Sequence, residues 1–378
     1  MTAMELESAA PHRRASLAPC EIAVIAPTFN ERDNVGELIE RLDAVLGGRA
    51  WEIVFVDDDS SDGTPDRLCE IARTDPRVRI LRRIGRRGLS TAVVEGVLST
   101  TAPIIAVMDA DLQHDESVLP EMIARLHEGD CDIVIGSRYA EGGGVGDWSS
   151  QRQAFSRLAT RLARLVVKAD LTDPMSGFFV MRREAFEGAV RRLSGQGFKI
   201  LLDLLASAPT PLRVAETPYT FRQRLYGESK LDSAVLWDYA ALLLDKLVGR
   251  FVPVRFVMFA LVGGLGVIVH FAVLSLLFQA MAQDFALSQA VAAVVAMTFN
   301  FFVNNALTYR DRRLRGPKAL LLGLASFYAV CSIGLIANVG IANFLFEEAY
   351  AWWLSGIAGI LVGAVWNYAA SAVFTWKR

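Results

Sequence analysis

At 378 residues and 53% hydrophobic side chains, with a mean hydropathy of +0.32, the chain is too apolar for one ordinary soluble domain, and the excess falls in its last third. The formal net charge is −2, and its basic clusters carry no interleaved aromatic platforms, which excludes a nucleic-acid-binding surface of that kind. Cys20, Cys69, Cys131 and Cys331 lack metal-ligand spacing and are expected to be free thiols.

Residues 1–20, rich in Ala, Glu and Arg and without an apolar segment, read as a disordered tail and not a signal peptide. Glu21 to Ala26 is an apolar strand, Pro27 to Glu31 a loop, and Val35, Leu38, Ile39, Leu42 and Leu46 recur at helical spacing. A second strand, Glu52 to Val56, runs into Asp57-Asp58-Asp59-Ser60-Ser61-Asp62-Gly63-Thr64, where Gly63 permits a tight turn. These βα units open on one sheet edge, where acidic and hydroxyl side chains suit a base and ribose. No Gly-x-Gly-x-x-Gly or Gly-Lys-Ser/Thr loop follows either strand, which argues against a dinucleotide enzyme or a P-loop ATPase. The arginines Arg82, Arg83, Arg86 and Arg87 before Gly88 are expected in a solvated loop.

The third apolar run, Ile104 to Met108, reads as a buried parallel strand and leads directly into Asp109-Ala110-Asp111-Leu112-Gln113-His114. Two carboxylates and the Gln113 amide at a strand's carboxyl end could ligate Mg²⁺ or Mn²⁺, with coordination positions left for the phosphate oxygens of a nucleotide diphosphate. Further on, Phe155, Leu158, Ala159, Leu162, Leu165 and Val166 form one helical face and Arg157, Arg161, Arg164 and Lys168 the opposite one, over about 154–168. Val235, Leu236, Tyr239, Leu242, Leu243 and Leu247 form a second apolar face. Both stretches suit helices in a membrane interface, and both could instead cover the sheet.

Four segments, about 256–281, 285–307, 319–346 and 352–376, are long enough to span a hydrocarbon core of about 30 Å. Arg250 and Arg255 precede the first, Arg310, Arg312, Arg313, Arg315 and Lys318 fill the middle connection, and Lys377 and Arg378 follow the last. The other two connections, at Gln283-Asp284 and Glu347-Glu348, carry no Lys or Arg, which puts both ends and the front domain on the cytoplasmic side. The spans also repeat: Phe259 to Phe278 aligns with Phe327 to Phe346, matching Gly266 with Gly334, while Asn300 and Thr308-Tyr309-Arg310 match Asn367 and Thr375-Trp376-Lys377.

Pro27-Thr28-Phe29-Asn30-Glu31, Val56 to Thr64, Asp109 to His114, Gly136-Ser137-Arg138-Tyr139 and Gly227-Glu228-Ser229-Lys230 occur in this order. The order resembles family 2 glycosyltransferases, and the nearest subgroup is the dolichol- or polyprenyl-phosphate mannose synthases. The last third resembles the GtrA-like four-helix membrane module. The resemblance implies an α/β GT-A domain, Rossmann-like with a mostly parallel sheet, over 21–232. It is followed by a second interface helix and linker over 233–252 and an α-helical transmembrane domain of four helices over 253–378.

The resemblance also implies inverting transfer of a hexose from a nucleotide sugar to a polyprenyl or dolichyl phosphate. The whole-chain likeness implies mannose from GDP-mannose, with UDP-glucose as the alternative donor because glucosyltransferases of this family share the same motifs. Pro27, Phe29, Glu31, Val56, Asp58, Asp109, Ala110, Asp111, Lys199, Arg224 and Lys230 would contact the donor, Asp109, Asp111 and Gln113 the metal, and Arg138, Arg152 and Ser156 the acceptor phosphate. Phe29 stands where many relatives have Tyr, which removes a hydroxyl. A processive polysaccharide synthase would show Gln-x-x-Arg-Trp, which is absent. A non-enzymatic translocator of lipid-linked sugar would favour ionisable residues within its spans, where His270 is the exception among apolar neighbours.

Overall fold

The computed structural model describes residues 20–146, 150–167, 171–195, 198–223, 233–249, 252–348 and 352–376. Arg224, Lys230, Lys168 and the expected tail before Cys20 lie outside them, and Arg152 is described in backbone only. The chain divides into two compact units, Met1–Lys246 and Leu247–Arg378.

The first unit is built on β1 (Ile22–Thr28), β2 (Trp51–Asp57), β3 (Val78–Arg82), β4 (Ile104–Val107), β5 (Ile133–Ser137), β6 (Phe179–Arg182) and β7 (Val214–Pro218). Its helices are α1 (Val35–Leu46), α2 (Thr64–Ala72), α3 (Leu89–Leu98), α4 (Leu119–Glu128), α5 (Ser150–Ala163), α6 (Arg183–Ala189), α7 (Ile200–Ser207) and α8 (Ser233–Val248). The sheet order is β3-β2-β1-β4-β6-β5-β7, parallel except where β6 runs antiparallel to both neighbours. Strand β1 shows why both faces must be covered: Ile22, Val24 and Ala26 enter a core with α1 and α4, while Ala23 and Ile25 enter another with α3 and α7. Gly96 lets α3 lie close to the sheet, since a Cβ there would come within 2.9 Å of Val56 Cγ2.

Strand order reverses direction at β1, with β2 on one side and β4 on the other, which makes the β1/β4 boundary the topological switch point where open α/β sheets bind ligands. Both the Pro27 loop and the Asp109 turn leave the sheet there, because Ile25 pairs with Val107 and the Met108 amide donates to the Ile25 carbonyl.

The two amphipathic stretches divide their faces differently from the sequence expectation. Helix α5 starts and ends earlier, at Ser150 and Ala163, and it buries Ala163 and Val167 of its following turn against the domain. Leu158, Leu162 and Leu165 are left 52%, 37% and 65% exposed. Helix α8 spends Tyr239, Leu242 and Leu243 on the core of the catalytic unit, and the Tyr239 hydroxyl donates to the Ala159 carbonyl at 2.6 Å. Lys246, near its end, bridges Asp203 of α7 at 2.5 Å, and Asp203 also accepts from Ser194 and Ser207.

The second unit consists of α9 (Val254–Ser275), α10 (Phe285–Val303), α11 (Pro317–Glu347) and α12 (Trp352–Ala370). All four contribute helices long and apolar enough to cross a membrane. The internal repeat is physical. Gly266 of α9 faces Asn300 of α10 and Gly334 of α11 faces Asn367 of α12, each so closely that a Cβ on the glycine would overlap the amide. Both α10 and α12 end in a π turn, Asn304–Thr308 and Ser371–Thr375. The residues that follow, Tyr309 and Trp376, stack on each other with centroids 4.1 Å apart and planes 6° from parallel. Equivalent residues that touch each other mark a pseudo-twofold axis relating the two hairpins.

Candidate active site

Asp109 is the second residue past β4, and its turn is held by His114 and Leu112. The Asp109 amide donates to His114 Nδ1 at 3.1 Å, so the imidazole proton belongs on Nε2. His114 stacks on Phe178 with centroids 5.2 Å apart and meets Tyr219 and Phe221 edge-on. Its burial pushes the imidazole down to about 4, opposed by the nearby Asp111 charge, which keeps it neutral near pH 7. Leu112 is left-handed at φ 61° although it is buried, a strained backbone of the kind found at functional sites. That twist follows an Asx turn in which Asp111 Oδ1 accepts the Gln113 amide at 3.1 Å, and the Gln113 side chain donates to the Arg222 carbonyl at 3.2 Å.

The Asp109 carboxylate lies over Gly177, where a Cβ would stand 3.3 Å from Oδ2. Asp109 keeps 35% side-chain exposure while Asp111 is buried. Asp109, Asp111 and Gln113 thus all belong to the one turn that leaves β4 at the switch point. Among the described residues no group of three or more His, Cys, Asp or Glu side chains gathers to cage an ion. A hard divalent cation held here would draw its remaining ligands from phosphate oxygens and water, as its preference for oxygen and open coordination allows.

On the β1–β2 side, Glu31 is buried and accepts from Asn34 Nδ2 at 2.6 Å, while its own amide donates to Thr64 Oγ1. Asp58 accepts from the Arg83 guanidinium at 2.8 Å and from the Gly88 amide at 2.7 Å. Its carboxyl is raised above the usual range by burial, partly offset by these two donors. Here the arginine cluster departs from the expected solvated loop: Arg83 is only 2% exposed, and it also reaches Gly88 O and Thr91 Oγ1. Arg87 lies over the Phe29 ring, 4.1 Å from its centroid. Pro27 and Phe29 are half-buried beside them, and Ala110 is buried under the Asp109 turn. Val56 is fully buried, its side chain packed beneath Gly96.

At the end of β5, Arg138 forms a bidentate pair with buried Asp173 at 2.7 and 2.8 Å. Its neighbour Tyr139 donates to Ser156 Oγ of α5 at 2.7 Å, so two of the three expected acceptor residues belong to one wall. Lys199 donates to the Met175 carbonyl at 2.9 Å, two residues from the glycine under Asp109. The sequence reading gave Arg83, His114 and Asp173 no part in the site. The run Thr172-Asp173-Pro174-Met175-Ser176-Gly177, polar and turn-rich before an apolar strand, was the available signal for the last.

An α/β sheet with an acidic turn at its switch point, followed in the chain by four helices apolar enough to span a membrane, defines a membrane-attached glycosyltransferase. Residues 23–189 match Glycosyl transferase family 2, and residues 258–376 match the GtrA/DPMS transmembrane domain. A dolichol-phosphate mannosyltransferase of Pyrococcus furiosus is 34% identical over 359 residues, covering 94% of this chain and 99% of that one. The protein of that name from Saccharomyces cerevisiae is 38% identical over 240 residues, covering 61% of this chain and 88% of its own. The chain belongs to the dolichol-phosphate mannosyltransferase family, in the form that carries a GtrA/DPMS membrane domain. It is a glycosyltransferase and a multi-pass membrane protein.

Proposed function

We propose that the chain transfers mannose from GDP-mannose to a polyprenyl or dolichyl phosphate at the cytoplasmic face of the cell's inner membrane, with inversion at the anomeric carbon. The observation that carries the reading is the Asp109–Asp111 turn at the β1/β4 switch point, with one carboxylate half-exposed over a bare glycine. Asp109, Asp111 and Gln113 would hold Mg²⁺ or Mn²⁺, which when bound neutralises charge on the donor diphosphate. Asp58, aimed by Arg83 and Gly88, offers acceptor oxygens to the N–H edge of a base, and Phe29 offers a ring face beside it. Arg224 and Lys230 would close over the donor, with Lys199 below.

The acceptor phosphate is already an anion near neutral pH, so the reaction needs no catalytic base. One phosphate oxygen attacks the anomeric carbon, the bond from that carbon to the diphosphate oxygen breaks, and the nucleoside diphosphate leaves with the electron pair. The protein supplies alignment and charge. Arg138 and Ser156 on one wall, with Arg152 one turn before Ser156 on α5, would position the attacking phosphate. The exposed Leu158, Leu162 and Leu165 support α5 as a helix lying against lipid.

The test is transfer itself. Membranes holding the full chain, given polyprenyl phosphate and either labelled GDP-mannose or labelled UDP-glucose, should yield an organic-extractable product from GDP-mannose that disappears with EDTA and returns with Mn²⁺ or Mg²⁺. Asp111→Ala should abolish transfer while the protein still folds and inserts. Product from UDP-glucose alone would reassign the donor, and unchanged turnover in metal-free buffer would remove the metal from the reading.

A further inference from the structure

Helix α5 carries a feature that mannosyl transfer does not use. A cavity of about 320 Å³ is lined by Tyr139, Thr160, Arg161, Arg164 and Thr172. Its size is at the lower end of small-molecule sites, roughly 300–1,000 Å³. Neither Arg138 nor Ser156 of the acceptor wall lines it.

Several arginines of this unit are neutralised, Arg77, Arg79, Arg83, Arg86, Arg138, Arg213 and Arg222 each bridging a carboxylate, while Arg125 and Arg182 are spent on backbone carbonyls. Among the described residues Arg161 and Arg164 have no carboxylate partner, and the Arg164 guanidinium donates to the Leu171 carbonyl at 3.3 Å. Between them and the domain is Thr160, whose hydroxyl is buried without a hydrogen-bond partner. A mid-helix threonine ordinarily returns that hydroxyl to the carbonyl four residues back, so an unused one beside a cavity leaves a donor unspent. Two guanidiniums and a hydroxyl on one wall are the donor set of a phosphate site.

The helix also says where the rest of the ligand goes. At about 100° per residue, Leu158, Leu162 and Leu165 form one exposed stripe, and Arg161 and Arg164 lie between that stripe and the buried face that begins at Thr160. A ligand with its phosphate in the cavity and apolar chains over the leucines satisfies both surfaces at once. We propose that this cavity binds the headgroup phosphate of an anionic membrane phospholipid, as a site separate from the acceptor pocket that seats α5 against the bilayer. The inference rests on the reading of α5 as a lipid-facing helix given above.

Retention of phosphatidylglycerol by the full chain in detergent, read by native mass spectrometry, tests it without turnover. Arg161→Gln with Arg164→Gln should weaken that retention about tenfold or more, and Thr160→Val should weaken it less. GDP binding should stay at its original value in both. In nanodiscs, transfer by the unaltered protein should rise when phosphatidylglycerol is added to phosphatidylcholine, and the double variant should keep the phosphatidylcholine rate but lose the rise. Equal retention in all three proteins would overturn the proposal. So would a higher KM for polyprenyl phosphate in phosphatidylcholine alone, which would assign the cavity to the acceptor. Displacement of the lipid by inorganic phosphate at equal concentration would assign it to a free anion.

Discussion

His114 carries a role that its burial conceals. It takes no exposed position, yet its Nδ1 is the acceptor for the amide of Asp109, the half-exposed carboxylate at the centre of the site. His114→Phe keeps the ring stack on Phe178 but strands that amide in a dry environment, a cost of about 1–3 kcal/mol concentrated on the turn. The expected outcome is a folded protein with weaker Mn²⁺-dependent donor binding and an unchanged acceptor KM, measured by donor titration with and without Mn²⁺ beside lipid kinetics. Arg152 should show the reverse pattern: Arg152→Ala should raise the KM for polyprenyl phosphate strongly and leave donor affinity nearly intact. Equal losses for donor and acceptor would misplace the acceptor pocket.

At the scale of elements, α7 and α8 are joined by one ion pair whose partners are almost wholly out of solvent. Lys199, a proposed donor contact, immediately precedes α7, and Asp203 one turn later accepts from Lys246, Ser194 and Ser207. Removing one member of a buried pair leaves the other charged and poorly solvated, which costs about 3–5 kcal/mol, whereas replacing both can be nearly neutral. Lys246→Met should therefore lower the unfolding midpoint of the catalytic unit markedly, and adding Asp203→Asn should restore most of it. Thermal denaturation followed on the full chain checks both. A midpoint unmoved by Lys246→Met would show that the serines alone satisfy Asp203.

For the whole molecule, every proposed donor, metal and acceptor residue precedes Leu247, where the second unit begins. Both cores of the catalytic sheet are likewise complete by Leu243. A chain ending near Gly249 should bind nucleotide and metal normally but transfer poorly to long polyprenyl phosphate in bilayers, because the anchor that concentrates enzyme and lipid is gone. A short, water-soluble prenyl phosphate should suffer a smaller penalty. Loss of donor binding on truncation would make the membrane helices part of the catalytic fold; full activity on bilayer lipid would give them another role, translocation first.

What was legible in the chain is what is written in local pattern. The strands β1, β2 and β4 show as unbroken apolar runs because both of their faces are buried, and the four spans show because a bilayer demands length and apolarity. Even the repeat was visible as matched glycine and asparagine positions, since close helix contacts admit few residue types. Pairing across distance was not. That Arg83 leaves its basic run to hold Asp58, that Asp173 grips Arg138, and that Val56 sinks under Gly96 depend on strand order and on which helix covers which face. The same holds for α5 and α8, whose apolar stripes look alike in sequence; only packing decided that Leu242 and Leu243 join a protein core while Leu158 and Leu165 stay exposed, because periodicity records that a face is apolar and not what covers it.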